Sequence, residues 1–167
     1  MDEIRNKVAE SGLISLDLER YLPPIEVVGF DLAHWLEHGL LLREANFKEQ
    51  LISMDWANYK KKDVAVFCST EAIVPAWSYM WLSRDLARVG SRMYLGTPED
   101  IAFRLFLGNL ELKVANDPDF DSARVVVKGC SNKKIPQEAY PLLTRLLLGR
   151  AKSLMFGEPC STVPVFK

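Results

Sequence analysis

From residue 63 onward, short β-branched or apolar runs alternate with segments of helical period, and this alternation constrains the fold more than any other feature of the chain. Residues 64–67, 91–95, 124–128 and 153–156 read as buried strands. Between them, 75–89, 98–114 and 136–150 carry apolar residues at helical spacing, and each opens on a proline, whose missing N–H costs nothing in a first helical turn. Strand, helix and strand in that order make βαβ units, with parallel strands and right-handed crossovers. A length of 167 residues suits one ordinary domain with its own core. The expectation is a single α/β domain over 1–167: a mostly parallel sheet with helices on both faces, an internally duplicated βαβ core at 63–167 and an N-terminal α/β extension at 1–62.

The extension reads as a helix over 2–10, a stop at Ser11 and Gly12, and strands near 13–18 and 25–30. Asp31 is placed to cap an apolar helix with the sequence LAHWLEHGLLL, and an amphipathic segment follows over 46–54. On such a helix His34 and His38 would share one face, a spacing that metal sites use and that ordinary helix surfaces show as well. The run KKKD at 60–63 reads as a solvated turn. Trp77 and Trp81 form a stripe that belongs either to the core or to a subunit interface, which makes a homodimer an expectation.

Composition narrows the function. A net charge of -1, with basic and acidic residues intermixed, argues against a general nucleic-acid binder, whose affinity rests on excess Lys and Arg. Residues 1–10 are polar and lack the apolar core of a secretory signal, and no apolar run is long enough to span a bilayer, so no membrane association is expected. Three cysteines is an odd number, which excludes a closed disulfide framework and points to a cytoplasmic location.

The two βαβ units match at a set of positions, with one extra residue, Gly129, ahead of the second cysteine. Pro75, Tyr79, Leu82, Arg84, Gly96 and Pro98 correspond at one constant offset to Pro136, Tyr140, Leu143, Arg145, Gly157 and Pro159. The strands ahead of the helices match too, VAVFCS against VVVKGCS. Apolar strands and opening prolines are common to any βαβ pair; the shared Cys-Ser, Tyr, Arg and Gly-x-Pro are what point to a duplication. All three cysteines sit in one pattern: Cys68 begins CSTEAIVP, Cys130 begins CSNKKIP and Cys160 begins CSTVP.

On a single sheet those three motifs would fall on one carboxyl edge, where open α/β sheets bind ligands. Three converging thiolates there suit iron, an iron–sulfur cluster or, less naturally with only three sulfurs, zinc. Cys68, Cys130 and Cys160 are therefore the candidate metal ligands, with Glu71, Glu99, Ser69, Ser131 and Ser161 as secondary candidates beside them. Two other readings stand next to this one. Each cysteine can be a small hydrophobe at a strand end, with the following Ser and Thr or Asn capping a turn; or one thiol can act as a nucleophile. Spacing removes several enzymes: the sixth residues after Cys68 and Cys130 are Val74 and Pro136 rather than the Arg of a cysteine phosphatase loop. Neither a C-x-x-C dithiol nor a glycine-rich phosphate loop occurs.

The runs GLISLDLERY, FDLAHWLEHGLLLREANFKEQL, DWANYKKKDVAVFCSTEAIVPAWSYM and VVVKGCS, and the ending AKSLMFGEPCSTVPVFK, resemble an uncharacterised bacterial family, the domain of unknown function 2480. The resemblance covers essentially the whole chain and carries no established catalytic residues. It implies iron–sulfur cluster assembly proteins as partners, because members tend to be encoded near them. Together the residues and the resemblance point to an accessory factor in iron–sulfur cluster or sulfur metabolism; the alternative is a non-catalytic interaction or scaffold protein with structural cysteines.

Overall fold

A computed structural model describes residues 12–129, 132–158 and 161–167. The chain forms two compact units, a terminal one of Met1–Leu22 with Leu105–Lys167 and a central one of Pro23–Arg104. The architecture is α/β and mostly parallel, as expected, but the strands form two sheets. In the central unit β2 (Val27–Asp31), β3 (Asp63–Phe67) and β4 (Arg92–Leu95) lie in the order β2-β3-β4, all parallel. In the terminal unit β1 (Leu13–Leu16), β5 (Arg124–Val127), β6 (Ser153–Glu158) and β7 (Ser161–Phe166) lie in the order β1-β5-β6-β7, parallel except for the β6–β7 hairpin.

The expectation of one sheet edge for all three Cys-Ser motifs is therefore corrected: β3, which leads to Cys68, belongs to one sheet and β5, which leads to position 130, to the other. The physical reason is strand partnering across long sequence distances. β1 pairs with β5 (Leu13↔Arg124) and β2 with β3 (Val27↔Asp63), so each βαβ unit acquires its own flanking strand.

Each central strand is apolar on both faces, as a covered parallel strand must be. In the central unit Val64 and Val66 meet Phe47 and Leu51 of α1 (Glu44–Ser53) and Leu82 and Leu86 of α2 (Ala76–Arg88). The start of α3 (Pro98–Ala115) covers the opposite face, where a Cβ on Gly29 would stand 3.2 Å from Pro98 and 3.3 Å from Phe67. Gly29 is thus the position that lets the helix approach the sheet. In the terminal unit Leu16, Val125, Val127 and Leu154 pack against Phe106 and Leu110 of α3 and Leu143 and Leu147 of α4 (Ala139–Leu147). Each fully buried Leu or Val contributes about 1.5–3 kcal/mol of burial free energy.

The helix expected after Asp31 is a single 3-10 turn, Leu32–Trp35. Asp31 does cap it, accepting from Ala33 N–H at 2.9 Å. The chain then reverses through His38 and Gly39, both at positive φ (53° and 71°), and an antiparallel bridge joins Glu37 to Leu41. His34 and His38 therefore share no helical face. The helix read at 136–150 is shorter, Ala139–Leu147, with Pro136 left buried ahead of it. Pro75 is the N-cap of α2 rather than its first residue. The helix read at 2–10 lies outside the described residues. Trp77 and Trp81 are partly buried and pack against the core of the central unit: their rings are 5.3 Å apart and Trp77 meets Phe47 edge-on. No helix among the described residues is long and apolar enough to cross a membrane.

Candidate functional site

The carboxyl ends of the parallel strands are built alike in the two units. In the central unit Asp31 ends β2, and its Oδ1 accepts from Ala33 N–H and, across the sheet end, from Ser69 N–H at 3.0 Å. The same carboxylate so caps its own turn and holds the loop that follows β3. Burial raises the pKa of Asp31, but hydrogen bonds from the Ser69 side chain, Ala33 N–H and Ser69 N–H outweigh it, and the net shift is downward. In the terminal unit Asp17 directly follows β1 and accepts from Glu19 N–H at 3.0 Å and from Lys128 Nζ at 2.9 Å. The Lys128 hydrogen bond is the main cause of its lowered pKa. Next to it, Glu19 Oε1 accepts from Asn132 N–H at 2.6 Å, so this loop too is tied to the flanking strand's end.

Cys68 is half-buried and packs on the aromatic core of the central unit. Its Sγ lies 3.2 Å from Thr70 Oγ1. The Tyr79 phenol beside it is pushed up, by burial first and by the negative form of the sulfur second. Ser69, Glu71 and Glu99 are exposed. At the next strand end Thr97 and Asp100 form a capping box for α3, Thr97 Oγ1 donating to Asp100 Oδ2 at 2.7 Å. Ser161 opens β7 and pairs with Glu158. Cys130, Ser131 and Cys160 lie outside the described residues. Among the described residues no three His, Cys, Asp or Glu side chains gather to hold a metal.

The clamping carboxylates Asp17 and Asp31 were not singled out as a pair in the sequence, although its signal is present: LISLDL and VVGFDL both end a strand on Asp-Leu. The other unforeseen element is β7, whose sequence STVPVF alternates β-branched residues but carries a proline that argues against a central strand. Its outer face leaves Val163 and Val165 exposed.

A family described as "Protein of unknown function (DUF2480)" matches residues 2–167. No curated protein and no solved structure matches the chain.

Proposed function

Since the chain belongs to the DUF2480 family, we propose that it is a cytoplasmic, non-catalytic interaction protein in which the cysteines serve the fold. The observation that carries this reading is the state of the Cys68 loop. Its sulfur is spent on packing and on Thr70, and its backbone is pinned by Asp31. A ligand-binding strand end needs free, convergent polar groups, whereas here Asp31 holds the Ser69 loop, Thr70 contacts the Cys68 sulfur and Thr97 and Asp100 bond each other. A duplication of one βαβ unit accompanies the proposal. It is supported by registers that repeat at the offset seen in the sequence, Asp63↔Arg92 against Arg124↔Ser153, and by Gly96 and Gly157 at φ of 135° and 125°.

The second reading is a metal or sulfur carrier in iron–sulfur metabolism, with Cys68, Cys130 and Cys160 as ligands; the shared Cys-Ser motif favours it. One experiment separates the two. Protein purified anaerobically, and its triple Cys→Ser variant, are assayed for bound iron and zinc and for reconstitution of an absorbing cluster. The interaction reading expects neither metal nor cluster in either protein. Stoichiometric metal in the wild type that is lost in the triple variant would overturn it.

A further inference from the structure

We infer that the outer side of β4 is a strand-acceptor edge, which takes an extended, uncharged, β-branched segment of a protein partner in antiparallel pairing, as β6 takes β7. The inference rests on the interaction-protein reading and names the surface and the kind of partner.

The argument begins with register. β4 stands to β3 as β6 stands to β5, Val66↔Leu95 matching Val127↔Phe156. On its other side β6 carries β7, with Phe156 opposite Val163 and Leu154 opposite Phe166. The matching positions of β4 are Leu95 and Met93, and no described strand lies beside them. Their backbone groups face that way. Arg92 N–H and Gly96 N–H donate to Lys62 and Val66 carbonyls of the β3 side, both at 3.0 Å. Because backbone polar groups alternate in direction along a strand, those of Met93 and Leu95 point to the open side. There Arg104 Nη1 reaches the Leu95 carbonyl at 3.3 Å and is the group an incoming strand must displace.

Side chains and charge agree with the backbone. Leu95 is 52% exposed, where its counterpart Phe156 beside β7 is 37% exposed. The one charged residue of β4 itself, Arg92, is bound bidentately by Asp63 at 2.7 and 2.9 Å, so Arg104 at the Leu95 carbonyl is the cation that an incoming strand meets on this side. The terminal unit, in contrast, ends on β7, where Pro164 removes a donor and protects the edge. A partner strand would take affinity from main-chain hydrogen bonds and specificity from an apolar residue set against Leu95.

The test uses the full chain and a synthetic peptide with the β7 sequence in which threonine replaces the proline, STVTVFK. Saturable binding is expected, with the Met93 and Leu95 amides protected from hydrogen exchange at least about fivefold. Leu95→Lys should weaken binding about tenfold or more, and Arg104→Ala should strengthen it about threefold by releasing the carbonyl. Both variants change exposed side chains, and their unfolding midpoints are measured alongside. The inference is overturned if millimolar peptide leaves the Met93 and Leu95 amides unprotected, or if protection changes instead at Leu154 and Phe156, where the peptide would be replacing β7. Equal affinity for Leu95→Lys, or self-association of the protein that this variant abolishes, overturns it too. Loss of this inference leaves the metal assay, and with it the interaction reading, untouched.

Discussion

The central and terminal units run the same course, a flanking parallel strand ending in Asp-Leu, then strand, helix, strand and a glycine at positive φ, yet they finish differently. After Gly157 the chain turns back as β7; after Gly96 it enters α3. One local conformation therefore serves two outcomes, and the neighbours of the glycine decide which. A Cβ on Gly157 would stand 2.5 Å from the Ser161 carbonyl oxygen, a backbone atom of the hairpin. On Gly96 it would meet side chains, Ile101 at 3.3 Å and Asp100 at 3.7 Å. Both positions need glycine for their positive φ; the hairpin adds a close backbone atom, the helix entry only side chains that can shift.

Substituting these two glycines gives the largest expected effect. Gly157→Ala should lower unfolding free energy by about 3 kcal/mol or more, and Gly96→Ala by about 1–2 kcal/mol, measured by urea denaturation. Equal losses would break the comparison. Next comes Asp63, which is 1% exposed and bridges β3 to β4 through Arg92. Its counterpart in the terminal unit is Arg124, opposite Ser153. Asp63→Ala should cost about 2–3 kcal/mol, because it removes both hydrogen bonds at a buried position and leaves Arg92 able to turn to solvent. A loss under about 1 kcal/mol would show the bridge to be incidental.

Smaller and more nearly equal effects are expected at the two strand-end carboxylates. Asp31→Asn and Asp17→Asn should each cost about 1 kcal/mol at pH 7, the range of a lost cap. Both carboxyl groups are shifted down from the ordinary aspartate value of 3.8. A lowered folded-state pKa contributes stability that is fully present above the unfolded-state value, about 3.9, and is lost as pH falls through the folded-state value. Wild type should therefore lose stability below about pH 4 more steeply than either variant, and unfolding midpoints between pH 2 and 6 would show it. The smallest effect belongs to Cys68→Ala. As a half-buried small hydrophobe it should cost about 1 kcal/mol or less, whereas a loss of bound metal on the same substitution would restore the carrier reading.

Much of this was legible in the sequence because it is local. The runs at 64–67, 91–95, 124–128 and 153–156 became β3 to β6 within a residue or two, since a β-branched run between turn residues has few other uses. The segment LAHWLEHGLLL misleads for an equally local reason. It is apolar enough for a helix, but Leu40 and Leu41 stay exposed while Leu32 and Leu42 are buried, so no single stripe faces the core and Gly39 breaks the run. Of the candidate site, the sequence shows that Cys68 ends a strand and that Ser69 follows it; that Asp31 reaches Ser69 depends on β2 lying next to β3.

By itself the sequence determined the strand–helix alternation, the matched βαβ pair and the Cys-Ser motifs, all of which follow from side-chain period and backbone preference over a few residues. Only the tertiary structure decided that the strands divide between two sheets, that β1 pairs with β5 more than a hundred residues away and that, among the described residues, β7 adds to β6 while β4 is the edge of its sheet. Those choices are made by hydrogen bonding and burial between distant segments, and no local preference encodes which distant strand arrives.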